Sequence, residues 1–253
     1  MRILLVIYIL WLRDMKRFMR SPSRIVGSVT LPLLTLVALG AGFGRMPIPG
    51  MNSPNYLSFL VPGMVGMTIL FGGVFSGMSV LWDRQYGFLK EIMVAPVPRV
   101  AIVVGRITSG STTGVIQASV IALMATFLGF ALPSLPGFLL ALVFMIFISV
   151  IFTGIGLVFA SRMKDEQGFG LIMNFLILPF LFLSGAFAPI GNLPAWVRTF
   201  SYIDPLTYGV EGLRAALLGS SAIPLVLSFS VCAACALMLV LVGAWFFETS
   251  EAV

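Results

Sequence analysis

Six stretches of this chain run for about twenty or more residues with almost no charge, and nothing else in the sequence restricts its fold so severely. They fall at roughly 25–44, 57–82, 106–131, 137–160, 169–190 and 222–247. Each is close to the ~20 residues that cross a hydrocarbon layer at 1.5 Å per residue. Within such a layer every backbone polar group must be satisfied inside the segment, so runs of this length are helices. The 253 residues are only 9% charged, against about 25% in a soluble domain. The expected fold class is an all-α integral membrane protein with six transmembrane helices.

The charges orient those spans. Six basic residues precede the first span (Arg2, Arg13, Lys16, Arg17, Arg20 and Arg24), four follow the second (Arg84, Lys90, Arg99 and Arg106), and two follow the fourth (Arg162 and Lys164). The opposite side holds Arg45, Arg198 and Arg214. Twelve against three is the positive-inside pattern, which places both termini in the cytoplasm. It also accounts for the net charge of +6 without a nucleic-acid partner, because the basic residues sit in blocks beside apolar spans.

The opening "MRILLVIYILWLRDMKRFMR" has a single charge before its apolar part and no small-residue cleavage site, unlike a signal peptide. As a helix over 1–20 it places Leu4, Tyr8, Trp11, Met15 and Phe18 on one stripe, with Arg13, Lys16, Arg17 and Arg20 mostly elsewhere. An amphipathic helix in the cytoplasmic interface, basic face towards anionic headgroups, fits this pattern. A frayed extension of the first span is the alternative.

Several chemistries lack their residues. There is no histidine, and the two cysteines, Cys232 and Cys235, sit in an apolar span as "CAAC", where small residues three apart serve helix packing. No metal site is expected, since zinc or copper needs more ligands. No Asp, Glu or Lys falls within the six marked spans, whose notable polar residues are Gln117 and Asn174; ion-coupled transporters keep ionisable groups at that depth. A phosphate loop needs Gly-Lys before Ser or Thr. Lys16, Lys90 and Lys164 follow Met15, Leu89 and Met163, so this chain has no such loop and no catalytic residue is assigned to it.

One polar interruption stands out: "LWDRQYGFLKEIMVAPVPRV", residues 81–100. After Trp82, the segment from Asp83 to Val94 reads as a short helix with Phe88, Leu89, Ile92 and Met93 on one patch. "APVPR" ends it, because proline lacks the backbone donor and restricts the residue before it. The product is a stiff cytoplasmic knob tied to a membrane helix at each end. Such a knob suits helix-in-groove docking, or it lies on the lipid surface.

The segment "WDRQYGFLKEIMVAPVPR" strongly resembles the corresponding loop of membrane subunits of ABC type 2 exporters, notably the daunorubicin-type drug and nodulation-factor permeases. "LSGAFAPIGNLPAWVRTFSYIDPLTYGVEGLRAALLG" resembles the segment between spans five and six of the same group. The likeness implies one ABC type 2 transmembrane domain over 1–253. It implies two six-span subunits, identical copies or a paralogous pair, working with two cytoplasmic ABC ATPase subunits that bind ATP and Mg. It makes about 84–95 the coupling helix that docks on the ATPase, with Arg84, Tyr86, Gly87, Phe88, Leu89, Lys90, Glu91 and Ile92 as docking residues. Phe88 and Leu89 would fill the groove, Lys90 and Glu91 would set register, and Gly87 would allow close approach.

The second block also has a direct physical reading. Pro194 can open one short helix, and Asp204-Pro205 is an N-cap and first-turn pair for another. Leu206, Val210, Leu213 and Leu217 make its apolar stripe, and Glu211 and Arg214 can pair at i, i+3. About thirteen residues cannot span a bilayer, so a segment over about 193–219 dips in from outside and returns. The resemblance makes it an extracellular gate, with Pro194, Trp196, Asp204, Pro205, Tyr208, Glu211 and Arg214 as its residues; a structural cap over span five is the alternative. Taken together, the expectation is an export permease in a prokaryotic inner membrane, handling a hydrophobic or amphiphilic, drug-like or lipid-like cargo. A lipid-linked glycan exporter is one alternative, and a motor-independent channel or scramblase is another.

Overall fold

The computed structural model describes residues 2–43, 55–86, 98–131, 133–163 and 165–249. These form α-helices and one short 3₁₀ turn, with no strand among the described residues. α1 (Arg2–Met19) leads into α2 (Pro22–Phe43). α3 (Tyr56–Ser76) and α4 (Met78–Gln85) follow one another across Gly77, and α5 is Arg99–Phe127. α6 (Leu135–Arg162) and α7 (Glu166–Leu183) come next, then the 3₁₀ turn at Ile190–Asn192. α8 (Ala195–Ser201), α9 (Pro205–Leu218) and α10 (Leu225–Thr249) complete the order. Six helical segments are long and apolar enough to cross a membrane: α2, α3 with α4, α5, α6, α7 and α10. The chain is a multi-pass membrane protein.

The spans differ from the expected ones at their ends, and the differences matter. The second continues through Gln85, so Asp83 and Arg84 complete a membrane helix instead of starting a separate one. The third begins at Arg99, which places Arg106 two turns inside it. The expectation that the spans carry no acid therefore fails at Asp83 and at Glu166, the first residue of α7. The fifth ends at Leu183, leaving 184–194 as a turn that Gly185 makes possible with φ of 73°.

α3 is the centre of the bundle. It is buried along nearly its whole length and packs against α6, α5 and α2. Without a hydrophobic drive between helices in lipid, such packing depends on close backbone approach through small residues. Gly77, between α3 and α4, lies against the backbone of Gly156 on α6, and Gly156 in turn faces the Val74 carbonyl; a side chain at either position would overlap that backbone.

The two ends of α6 fix two distinct regions. Its C-terminal end holds α4, where Arg84 Nη1 donates to the Met163 carbonyl at 3.0 Å and Nη2 to Ser161 at 3.3 Å. Along its first half runs α9, antiparallel: Gly209 faces Ile148, Gly212 faces Phe144, and Gly137 faces Ala216. From Leu135 to Ile148 is roughly 20 Å at 1.5 Å per residue. α9 therefore starts deep in the bundle and climbs back to the end where α6 begins. Eleven of its fourteen residues are buried, so protein covers its backbone ends, as a segment at membrane depth requires.

Candidate functional site

The roots of the loop between α4 and α5 are the most heavily bonded polar feature of the molecule's α1 end. Asp83, on the last turn of α4, pairs with Arg106 on α5. Arg106 also reaches Asp14 on α1, Nη1 to Oδ2 at 3.1 Å, and donates to Ser79 Oγ at 3.2 Å. Arg13 Nη2 bridges Asp14 and Asp83, 2.9 Å from each. Ser109 donates its hydroxyl to Asp14 at 3.0 Å. The Arg106 side chain is only 2% exposed and that of Asp83 7%. Buried charges of this kind are tolerable when paired and fully hydrogen-bonded, and here each carboxylate is shared by two arginines.

Mechanically, the cluster ties three elements into one junction. Asp83 belongs to the helix entering the loop and Arg106 to the helix leaving it, while Asp14 and Arg13 bring in α1. Arg84 adds the C-terminal end of α6, where a guanidinium satisfies carbonyls that the helix leaves free. α1 lies along α5, aided by Trp11 Nε1 donating to Thr112 Oγ1 at 3.0 Å. Side chains of α1, α4 and α5 and the carbonyl end of α6 thus meet at the described ends of the loop.

Of the expected docking residues, Arg84 is engaged as described and Tyr86 is 78% exposed. Gly87, Phe88, Leu89, Lys90, Glu91 and Ile92 lie outside the described residues. Part of the basic set of α1 meets protein instead of projecting outward. Lys16 and Arg20 are exposed as anticipated, but Arg13 turns to Asp83 and Arg17 lies over the Trp82 ring, 4.8 Å from its centroid. Leu4 and Tyr8, expected on one apolar stripe with Phe18, are exposed, while Leu10 and Phe18 are buried.

At the other end, Pro194 precedes α8 as its N-cap, and Asp204 caps α9, its Oδ1 accepting from the Leu206 N–H at 2.8 Å. Pro205 occupies the first turn. Tyr208 donates to the Tyr202 carbonyl at 2.8 Å. Glu211 and Arg214 form a buried ion pair. Glu211 Oε2 accepts from the Ala222 N–H at 2.6 Å, Arg214 Nη2 donates to the Gly185 carbonyl at 2.6 Å, and the guanidinium lies 3.8 Å from the centroid of Phe59. Together they brace α9 against the turns before and after it and against α3. Trp196 stands apart, 70% exposed on α8.

The model of the family described as ABC-2 type transporter matches residues 6–218. The chain belongs to that family. The match takes in α1 through α9, hence both the α4–α5 loop and the α8–α9 segment. Among its relatives is a protein of Cyanophora paradoxa named as transport permease ycf38. It is 31% identical over 197 residues, covering 77% of this chain and 68% of the relative. The Escherichia coli K12 inner membrane transport permease YadH is 25% identical over 226 residues, 88% of this chain and 86% of its own. Nodulation protein J of Sinorhizobium fredii is 24% identical over 211 residues, 82% and 79% respectively. The bonded junction at the root of the α4–α5 loop is therefore a feature of an ABC-2 permease.

Sequence reasoning named Arg84 and counted Arg106 only for topology; it passed over Asp14, Arg13 and Asp83 as a set. The available signal was a lone acid within a basic helix, together with an acid and a base at the two ends of one loop. Cys232 is buried and Cys235 partly so, both as free thiols, in keeping with their assignment to packing.

Proposed function

We propose that this ABC-2 permease is the non-hydrolysing membrane subunit of an ATP-driven exporter, moving a hydrophobic or amphiphilic cargo out of the cytoplasm or inner leaflet. It works as a pair of permeases, two copies or this chain with a paralogue, on two cytoplasmic ATPase subunits that bind ATP and Mg. Both termini and the α4–α5 loop face the cytoplasm of a prokaryotic inner membrane. Residues 84–95 are the docking element, with Phe88 and Leu89 as its apolar anchors. The α8–α9 segment is the gate on the outer side.

One observation carries this reading. The loop that would meet the motor is rooted in a junction whose parts belong to α1, α4, α5 and α6, so force applied there moves helices and not a loop alone. Helix-in-groove docking through a short apolar patch supplies the grip.

The test is the Phe88→Asp, Leu89→Asp double variant, co-expressed with the ABC ATPase that co-purifies with the parental permease. The variant should reach the membrane folded, lose co-purification with the ATPase and lose nucleotide-dependent export. Export at the parental rate would refute the docking role.

A further inference from the structure

Above the ionic junction lies a cavity of about 370 Å³ that the transport reading does not use. It is enclosed by α1, α2, α3, α4 and α5, and it is amphipathic along its length. Its lower end meets Asp14, Arg17 and Arg106; its upper end is closed where Gln117 Nε2 donates to Ser28 Oγ at 2.7 Å. From Arg106 to Gln117 along α5 is roughly 16 Å. Phe71 and Phe75 form the wall on α3, and Leu31 stands opposite on α2. The volume falls within the range of small-molecule sites, about 300–1,000 Å³.

The charge balance at the lower end is specific. Asp14 is shared by Arg13 and Arg106, and both of these arginines meet Asp83 through its Oδ2, which leaves Oδ1 facing Arg17. Three arginines against two carboxylates leave a net positive charge, and of the three Arg17 is held most loosely. Its Nη1 stands 4.0 Å from the nearest Asp83 oxygen, and its plane lies over Trp82. A guanidinium so placed offers a fork of donors suited to phosphate.

The surroundings choose between a dissolved anion and a lipid. α2 is a peripheral span, with only 17% of its apolar window buried. Gly27 and Leu31, both exposed, form the edge of the cavity on that helix. In the single chain the mouth therefore opens on the exposed side of an apolar span, and the interior continues upward between aromatic rings. Lys16 and Arg20, exposed nearby on the chain, add positive potential outside. We infer that this cavity binds an anionic phospholipid, its phosphate at Arg17 and the upper part of one acyl chain between Leu31 and Phe75. The remainder of the lipid stays in the bilayer, since the volume holds only the head region and part of a chain.

Trp82 at the cavity provides the readout. The purified full chain is placed in phosphatidylcholine nanodiscs containing phosphatidylglycerol brominated high on its acyl chains. The signal is the quenching that Trp82→Phe removes. Brominated phosphatidylglycerol should quench at about tenfold lower mole fraction than brominated phosphatidylcholine, the factor expected for one charge-assisted contact. Arg17→Gln should bring the two lipids to parity, and Arg17→Lys should keep most of the preference. Gly27 has open space where a side chain would stand, so Gly27→Leu should plug the mouth and reduce quenching by either lipid while the thermal midpoint holds. Equal quenching by both lipids in the parent protein would overturn the assignment. So would indifference to Gly27→Leu, or displacement of the lipid by excess inorganic phosphate, which would mark a site for a soluble anion. The measurement uses no nucleotide and no ATPase, so it stands or falls apart from the transport reading.

Discussion

Asp83 and Arg106 are 23 positions apart in sequence and form an ion pair across the base of the loop that separates them. Both are buried, and Asp14 and Arg13 complete the charges around them. Removing one partner leaves the other with a single close charged contact, Arg106 with Asp14 or Asp83 with Arg13, in a poorly solvated site, at a cost of up to about 3–5 kcal/mol. Asp83→Ala and Arg106→Met should therefore each destabilise the purified protein strongly. The double variant Asp83→Ala, Arg106→Met should recover at least about 1 kcal/mol relative to the sum of the singles, because Asp14 keeps Arg13 and Ser109. Denaturant titration in detergent measures the cycle; strictly additive losses would show that the pair is not an energetic unit.

Arg214 has three partners at once: the Glu211 carboxylate, the Gly185 carbonyl and the face of Phe59. A lysine cannot hold all three, because an ammonium is a point charge on a single stem whereas the guanidinium is a planar fork. Arg214→Lys should thus lower stability nearly as far as Arg214→Ala, about 3–5 kcal/mol for the stranded Glu211. Glu211→Gln also removes the counter-charge of the buried Arg214 and should cost up to about 3–5 kcal/mol, eased because an amide oxygen still accepts from Ala222. A ranking with Glu211→Gln as the worst of the three would contradict this account of the brace.

What could be read from the sequence follows from the range of each interaction. The spans were legible because length and lack of charge suffice to define a membrane helix. The Asp204-Pro205 start of α9 and the Glu211–Arg214 pair were legible because their partners lie within one turn. The Asp83–Arg106–Asp14 junction was not, because it depends on where α5 begins and on how α1 is rotated. Nothing local sets either one. The rotation of α1 is especially opaque: in lipid, exposed Leu4 and Tyr8 carry little penalty, so an apolar stripe does not reveal which face meets protein. The Gly77 junction of α3 and α4 was hidden for a related reason, since a glycine in an apolar run marks close approach without naming its partner.

That approach can be tested directly. A side chain at Gly77 would meet the Gly156 backbone, and one at Gly156 would meet the Val74 carbonyl. Backbone cannot rotate away as a flexible side chain can, so Gly77→Val and Gly156→Val should each push α6 from α3. The expected loss is about 1–3 kcal/mol or more, seen as a lower thermal midpoint. Gly42, with nothing nearby, serves as the control: Gly42→Ala should be neutral or mildly stabilising, because alanine is the better helix former.

Tyr86 and Trp196 are both strongly exposed, at 78% and 70%, and they stand at opposite ends of the bundle. Tyr86 follows Arg84, which is bonded to the C-terminal end of α6; Trp196 belongs to α8, which leads into α9, the helix that climbs back to the end where α6 begins. The 28 residues of α6 separate these ends by about 42 Å, more than the ~30 Å hydrocarbon layer. In a background with Cys232 and Cys235 replaced by alanine, Tyr86→Cys should react with a membrane-impermeant maleimide only in inside-out vesicles. Trp196→Cys should react only in right-side-out cells. Swapped labelling would put the α4–α5 loop outside, where no ATPase could reach it. Labelling of both from one side would deny that α6 crosses the bilayer at all.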